Sequence, residues 1–141
     1  MRPPRILLVD DTPEVRSVLT RVLASEGYEV VEAGDGQTAL AACQAANGDF
    51  DLLLTDVEMP GMSGIELAEK LTSAYSSLRV LYISGRFEGD ALQAKVRHKG
   101  FGFLSKPFRP HALIQAVQER MTSSKGPGQA LPQTITDKKT A

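Results

Sequence analysis

The stretch Ile6-Leu7-Leu8-Val9-Asp10-Asp11 joins a short aliphatic run to a pair of aspartates. Similar runs recur at residues 52–54 and 80–83 and, more weakly, at 29–31, while residues 101–104 combine aromatic side chains with glycine. Continuous apolar runs of this length are typical of strands that are buried on both faces, as in a parallel sheet. The sequence therefore predicts a set of five buried strands.

The segments between these runs have the spacing of amphipathic helices. In the first segment the apolar residues fall on one stripe, formed by Val15, Val18, Leu19, Val22 and Leu23. Thr12 is placed as the N-cap of this helix, Pro13 as its first residue and Gly27 just past its end. The other predicted helices lie at residues 37–46, after Ser63, at residues 90–98 and after Pro110.

Strand and helix thus alternate five times with short connections. This order predicts an α/β fold of the (βα)5 type, with a doubly wound parallel sheet and helices on both faces. After residue 121 the composition changes to Ser, Lys, Gly, Pro, Gln and Thr. We therefore expect one domain over residues 1–121 and a flexible C-terminal tail over residues 122–141.

The composition excludes several classes of protein. The 141 residues include 42% hydrophobic and 23% charged residues, close to the averages of soluble globular proteins. A net charge of −1 argues against direct binding to nucleic acid, which usually needs a basic surplus. The single cysteine, Cys43, cannot form an internal disulfide. No apolar run approaches the length of a membrane span or signal peptide, so we expect a cytoplasmic protein without direct membrane contact.

Polar residues with distinctive chemistry follow the predicted strands. In an open parallel sheet the ligand site lies at the carboxyl ends of the strands, and the residues found there are Asp10, Asp11, Asp56, Ser84 and Lys106. Two carboxylates about 4 Å apart repel each other by several kcal/mol at an effective dielectric of about 20, so the cluster needs a proton or a cation. Mg²⁺ suits such oxygen ligands. The set favours phosphoryl transfer onto a carboxylate.

These features resemble the receiver domain of two-component response regulators. The resemblance covers residues 4–121 and rests on motifs at residues 6–11, 54–64, 83–85 and 103–108. It implies a flavodoxin-like, five-stranded parallel sheet with strand order 2-1-3-4-5. The stretch Leu-Tyr-Ile-Ser-Gly that ends at residue 85 is most similar to receivers of hybrid sensor histidine kinases.

The resemblance also implies how a phosphoryl group would arrive. Asp56 would accept it from the phosphohistidine of a histidine kinase or a phosphotransfer domain. Mg²⁺ would be held by Asp10, partly through water, by Asp11 and Asp56, and by the backbone carbonyl of Glu58. Such a module is not a turnover enzyme, although it assists its own phosphorylation and dephosphorylation. The resemblance also allows a weak homodimer.

The remaining implied roles concern the response to phosphorylation. Lys106 would bind a phosphoryl oxygen, and its peptide bond to Pro107 would be cis. Ser84 and Phe103 would move together toward the phosphoryl group and remodel the face made by the fourth helix, the fifth strand and the fifth helix. Ser stands at 84 where Thr is commoner, and Phe stands at 103 where Tyr is frequent.

Two further charged residues are expected at the rim of the site. Glu58 lies two residues after Asp56, and Arg86 lies two residues after Ser84. Because Arg offers a two-pronged donor for a carboxylate, we expect a Glu58–Arg86 pair across the mouth that slows hydrolysis of the phosphoryl group. An exposed pair of this kind adds only about 0–1 kcal/mol to stability.

Two alternative functions share parts of this pattern. A flavin-binding module of the same fold would need a phosphate-binding loop after the first strand, where Asp10 and Asp11 would repel a flavin phosphate. An aspartyl-phosphate phosphatase would also use Asp, Lys, Ser and Mg²⁺. Such enzymes place their nucleophile after the first strand in an Asp-x-Asp pattern, whereas the aspartates here are adjacent.

Overall fold

A computed structural model of the chain describes residues 2–85 and 101–122. Five strands form one sheet in the order β2-β1-β3-β4-β5, and every neighbouring pair is parallel. The strands are β1 (Arg5–Val9), β2 (Glu29–Ala33), β3 (Leu52–Asp56), β4 (Arg79–Ser84) and β5 (Gly102–Ser105). The predicted flavodoxin-like α/β fold and its strand order are therefore confirmed.

Within residues 2–85 and 101–122, four helices connect or follow these strands. They are α1 (Pro13–Ser25), α2 (Gly36–Ala45), α3 (Gly64–Ala74) and α4 (Pro110–Thr122). The helix predicted at residues 90–98 lies outside the described residues, so the C-terminal helix is numbered α4 here. No helix within residues 2–85 or 101–122 has the length and apolar character needed to cross a bilayer.

The ends of the helices follow the sequence signals in two cases and depart from them in one. Ser63 and Glu66 have the Ser-x-x-Glu spacing of a capping box, and the Ser63 hydroxyl accepts the Glu66 N–H at 3.1 Å. Gly27 has φ of +92°, the left-handed conformation that ends α1. Thr12 occupies the N-cap of α1, but its side chain makes no capping bond. Its N–H instead donates to the side chain of Asp10.

The hydrophobic core has one layer on each face of the sheet. In β1, Leu7 and Val9 belong to the layer under α2 and α3, while Ile6 and Leu8 belong to the layer under α1 and α4. All four side chains are fully buried. This explains the unbroken aliphatic run, since a strand covered on both faces has no position for a polar residue.

One member of the predicted α1 stripe does not lie in the core. Leu19 and Leu23 are buried, but Val18 is 51% exposed. Successive side chains of a helix are rotated by about 100° about its axis. The Val18 side chain therefore lies about 120° around the helix from the direction midway between Leu19 and Leu23. Inclusion of Val18 in the core stripe was therefore wrong.

The start of α3 is packed directly against the backbone of β3. The N–H of Gly64 donates to the carbonyl of Val57 at 2.9 Å. A Cβ atom at Gly64 would collide with the carbonyl oxygen of Asp56. Only glycine therefore lets α3 approach the end of β3 this closely.

We predict that Gly64→Ala lowers the free energy of unfolding by about 3 kcal/mol, because the backbone of β3 or the start of α3 must shift. Gly27→Ala is the matched control. It meets no atom within 4 Å and suffers only the left-handed conformation, a cost of about 1 kcal/mol. Urea denaturation measures the free energy of unfolding of both variants. Equal losses of stability would show that the collision of a Cβ at position 64 with the Asp56 carbonyl adds no cost.

Candidate functional site

The two aspartates that follow β1 occupy different environments. Asp10 is 1% exposed, whereas Asp11 is exposed to solvent. The Asp10 N–H donates to the carbonyl of Ala33 at 3.2 Å, which ties the end of β1 to β2. The Asp10 carboxylate accepts the N–H of Thr12 at 2.9 Å. Asp10 is thus fixed by backbone groups on both sides, while the Asp11 side chain reaches the solvent-facing edge of the site.

Asp56 ends β3 next to Asp10. Strand register pairs Val9 with Thr55, so the residues that follow each of them lie level with one another. Asp56 is 7% exposed, and its carboxylate accepts the N–H of Glu58 at 3.3 Å. The next residue is still bound to β4, since the Val57 N–H donates to the carbonyl of Ile83 at 2.8 Å. The chain leaves the sheet after this bond.

Lys106 brings a positive charge to both buried carboxylates. Its Nζ lies 3.4 Å from Asp10 Oδ2 and 3.5 Å from Asp56 Oδ2. Its backbone N–H donates to the carbonyl of Ser84 at 2.7 Å, which fixes the end of β5 against the end of β4. The Lys106–Pro107 peptide bond is cis, as the resemblance implied.

The three aspartates have the spacing of a cation site. One carboxylate oxygen from each of Asp10, Asp11 and Asp56 lies within 4.8 Å of the other two. Mg²⁺ holds oxygen ligands at about 2.1 Å, so that two ligands of one ion lie about 3–4.2 Å apart. The donors are thus of the type that Mg²⁺ takes, and they lie close enough together for one cation to draw them to its ligand distances.

The charge state of Asp56 reflects competing influences. Burial raises the pKa of its carboxyl group above the ordinary value, and the charge of Asp10 acts in the same direction. The Lys106 ammonium and the Glu58 N–H oppose this shift without cancelling it. The folded protein therefore holds a proton on Asp56 more readily than the unfolded chain does, so the charged site is destabilising in the absence of a further cation.

The other predicted site residues lie around this cluster. Ser84 is 1% exposed at the end of β4. Phe103 in β5 is half-buried and packs against the core layer that contains Tyr82 and Phe101. Glu58 is exposed beside the cluster. Arg86 lies outside the described residues, so the expected Glu58–Arg86 pair stays a prediction.

Sequence reasoning missed one residue that contacts this loop. Arg16, the fourth residue of α1, donates from Nη1 to the backbone carbonyl of Asp10 at 2.6 Å. Its Nε donates to Glu32 of β2 at 3.2 Å. A basic residue in the first turn of a helix opposes the helix dipole. This unfavourable placement was the available signal that the side chain turns back toward the strand ends.

Comparisons with known proteins agree with this geometry. A sequence model of the family described as response regulator receiver domain matches residues 6–118. The sensor kinase CckA of Brucella abortus is 34% identical over 116 residues, which cover 82% of this chain and 12% of that protein. The receiver protein CpdR of the same organism is 34% identical over 121 residues, which cover 85% of this chain and 98% of CpdR.

A solved structure shows the same fold. The response regulator TrrA of Thermotoga maritima, in a complex with Mg²⁺ and BeF, has a TM-score of 0.70 and 29% identity. The match covers 82% of this chain and 97% of that chain. The chain spans half or less of the length of the first curated relatives that it matches. These likenesses favour a receiver over the flavin and phosphatase alternatives.

We predict that Asp56→Asn raises the free energy of unfolding at pH 7 by about 1–2 kcal/mol when divalent ions are removed with EDTA. The variant lacks the buried charge. The pKa of Asp56 is raised in the folded state, so the wild type loses stability as pH rises from the ordinary Asp value through the raised value. The advantage of Asn should shrink as pH falls through that window. Denaturant titrations at several pH values test this, and an advantage that does not change with pH would contradict it.

Proposed function

The chain belongs to the family of response regulator receiver domains, and from that premise we propose that Asp56 is its phosphoacceptor. The observation that carries the proposal is the convergence of Asp10, Asp11, Asp56 and Lys106 at one end of the sheet. A carboxylate between a cation site and an ammonium group is placed to take up a dianionic phosphoryl group. Asp10 and Asp56 both belong to the acidic cluster and both contact Lys106. The family resemblance assigns acceptance of the phosphoryl group to Asp56.

The proposed reaction transfers a phosphoryl group from a phosphohistidine to Asp56. An Asp56 carboxylate oxygen forms a bond to phosphorus while the bond from phosphorus to the histidine nitrogen breaks. The bonding electron pair stays on the imidazole, which leaves as a neutral ring after protonation. The donor would be a histidine kinase or a phosphotransfer domain.

Residues around Asp56 would prepare this step. Asp10, Asp11, Asp56 and the backbone carbonyl of Glu58 would hold Mg²⁺, which supplies positive charge to the phosphoryl oxygens when bound. The Glu58 N–H orients the Asp56 carboxylate before the donor arrives. Lys106 would exchange its contact with Asp56 for one with a phosphoryl oxygen.

Ser84 and Phe103 would transmit the change. Ser84 lies one strand away from Asp56, since Asp56 pairs with Ile83 in the parallel register. Phe103 pairs with Tyr82 and lies on the edge strand β5. We propose that the Ser84 hydroxyl moves toward the phosphoryl group and that Phe103 turns inward into the space that Ser84 leaves. The partner-binding face would include β5 and α4.

The proposed module is a cytoplasmic signalling domain over residues 1–121, followed by a tail over residues 122–141. It would undergo phosphorylation and dephosphorylation without turning over a small substrate. Its partners would be proteins, with no direct binding to nucleic acid or membrane and with a weak homodimer allowed. The likeness to the sensor kinase CckA favours a receiver of the hybrid-kinase type.

We predict that a small phosphodonor with Mg²⁺ adds one phosphoryl group to the wild-type protein and none to Asp56→Asn. EDTA should abolish the addition, because Asp10, Asp11 and Asp56 repel the donor without a cation. Intact-mass measurement reads the result directly. Asp51→Asn is a matched control, since Asp51 lies at the opposite end of β3. A phosphoryl adduct that survives in Asp56→Asn would refute the assignment.

We predict that Lys106→Ala keeps the fold and separates phosphorylation from the structural response. The Lys106 ammonium contacts both Asp10 and Asp56. Because alanine has no cationic group, the variant can no longer bind the phosphoryl oxygens in this way. Amide NMR shifts near Ser84 and Phe103 should change on phosphorylation in the wild type and in Lys70→Ala, an exposed control on α3. Wild-type shifts in phosphorylated Lys106→Ala would contradict this role.

A further inference from the structure

Arg16 links three structural elements around the acidic loop. Its side chain is 19% exposed and starts from α1. Its guanidinium reaches the Asp10 carbonyl at 2.6 Å and the Glu32 carboxylate on β2 at 3.2 Å. It also passes close to the backbone at Gly34, where a Cβ atom would lie 3.3 Å from Nη1. The guanidinium is therefore surrounded on several sides by groups of the loop and of β2.

The contact to Asp10 determines the orientation of a peptide plane. The carbonyl oxygen of Asp10 belongs to the peptide unit that joins Asp10 to Asp11, and a planar peptide turns as one body. The Arg16 bond thus fixes the plane from which Asp11 leaves the strand. The Asp10 side chain has its own anchor in the Thr12 N–H. Asp11 is the exposed member of the cluster. The hydrogen bond from Arg16 to the Asp10 carbonyl anchors the peptide unit directly before it.

We propose that Arg16 is a positioning residue that holds the Asp10–Asp11 peptide so that the Asp11 carboxylate faces the cation site. This inference rests on the proposed function, because it assigns the acidic cluster to Mg²⁺. Arg16 does not touch the reacting atoms. Its effect passes through the backbone to Asp11, and Glu32 keeps the guanidinium in place.

Positioning and simple electrostatics predict opposite effects on Mg²⁺ affinity. The Arg16 guanidinium binds the backbone of the loop that carries Asp10 and Asp11. Its positive charge would repel a divalent cation held there, so loss of that charge alone would tighten Mg²⁺ binding. Loss of the peptide anchor would weaken Mg²⁺ binding, because the Asp11 ligand must then be ordered by the metal itself. Removal of groups that orient metal ligands typically costs about 10–100-fold in affinity. The sign of the change therefore separates the two explanations.

The test is an Mg²⁺ titration of the full-length, unphosphorylated protein, followed by amide NMR shifts. We expect Arg16→Met, which keeps an unbranched apolar stem but removes the guanidinium with its charge and donors, to raise the Kd for Mg²⁺ about tenfold. Arg16→Lys keeps one cationic donor and should give an intermediate Kd. Arg21→Met removes an equal charge from an exposed position on α1 and should leave the Kd within about twofold of wild type, as expected for a screened surface charge.

A second measurement uses the phosphodonor reaction. In Arg16→Met the Mg²⁺ concentration for half-maximal phosphorylation should rise, while the rate at saturating Mg²⁺ stays near that of the wild type. Unchanged or tighter Mg²⁺ binding in Arg16→Met would overturn the proposal. If Arg16→Met does not fold, Arg16→Lys decides, and a wild-type Kd in that variant would also overturn it. The Mg²⁺ titration needs no phosphoryl transfer. A failure of Asp56 phosphorylation would therefore refute the proposed function and leave the test of Arg16 intact.

Discussion

Repulsion among three carboxylates at the end of a parallel sheet is the constraint on which the rest of this structure depends. Asp10 and Asp56 are both buried, and water can therefore screen their charges only weakly. The sheet brings Lys106 to both of them across 96 and 50 positions of sequence. Among the described residues, the ammonium group of Lys106 thus offsets the charges of two buried carboxylates.

The strand order explains how such distant residues meet. β1 and β3 are neighbours at the centre of the sheet, and their register sets Asp10 level with Asp56. β4 separates β3 from β5, so Lys106 must span the width of one strand with its long side chain. The aliphatic layers on both faces hold the strands in place, and the energy of apolar burial supports a charged site that would be unfavourable by itself.

Much of this arrangement could be predicted from the sequence because buried parallel strands and their polar ends leave a clear pattern. The runs around Leu7, Leu53 and Leu81 predicted the strands, and Asp10, Asp56 and Lys106 predicted the site. Periodicity alone did not predict the strand order, which came from the resemblance to receivers. Periodicity also placed Val18 in the core wrongly. A stripe of apolar residues does not show which part of the stripe faces the sheet. Arg16 was missed because its contact with the acidic loop is to a backbone carbonyl, which the residue types do not reveal. Its basic charge in the first turn of α1 was the one available sequence signal.

The close contact of Gly64 with the Asp56 backbone has a consequence for how related chains can diverge. Backbone bonds fix both ends of the arc from Val57 to Gly64, at Ile83 and within the arc itself. Glu58 and Pro60 project from this arc into solvent. The side chains at those exposed positions can therefore be exchanged without breaking either backbone bond of the arc. Substitutions at the ends of the arc have less freedom, because the backbone there lies directly against Asp56 and so against the acidic cluster.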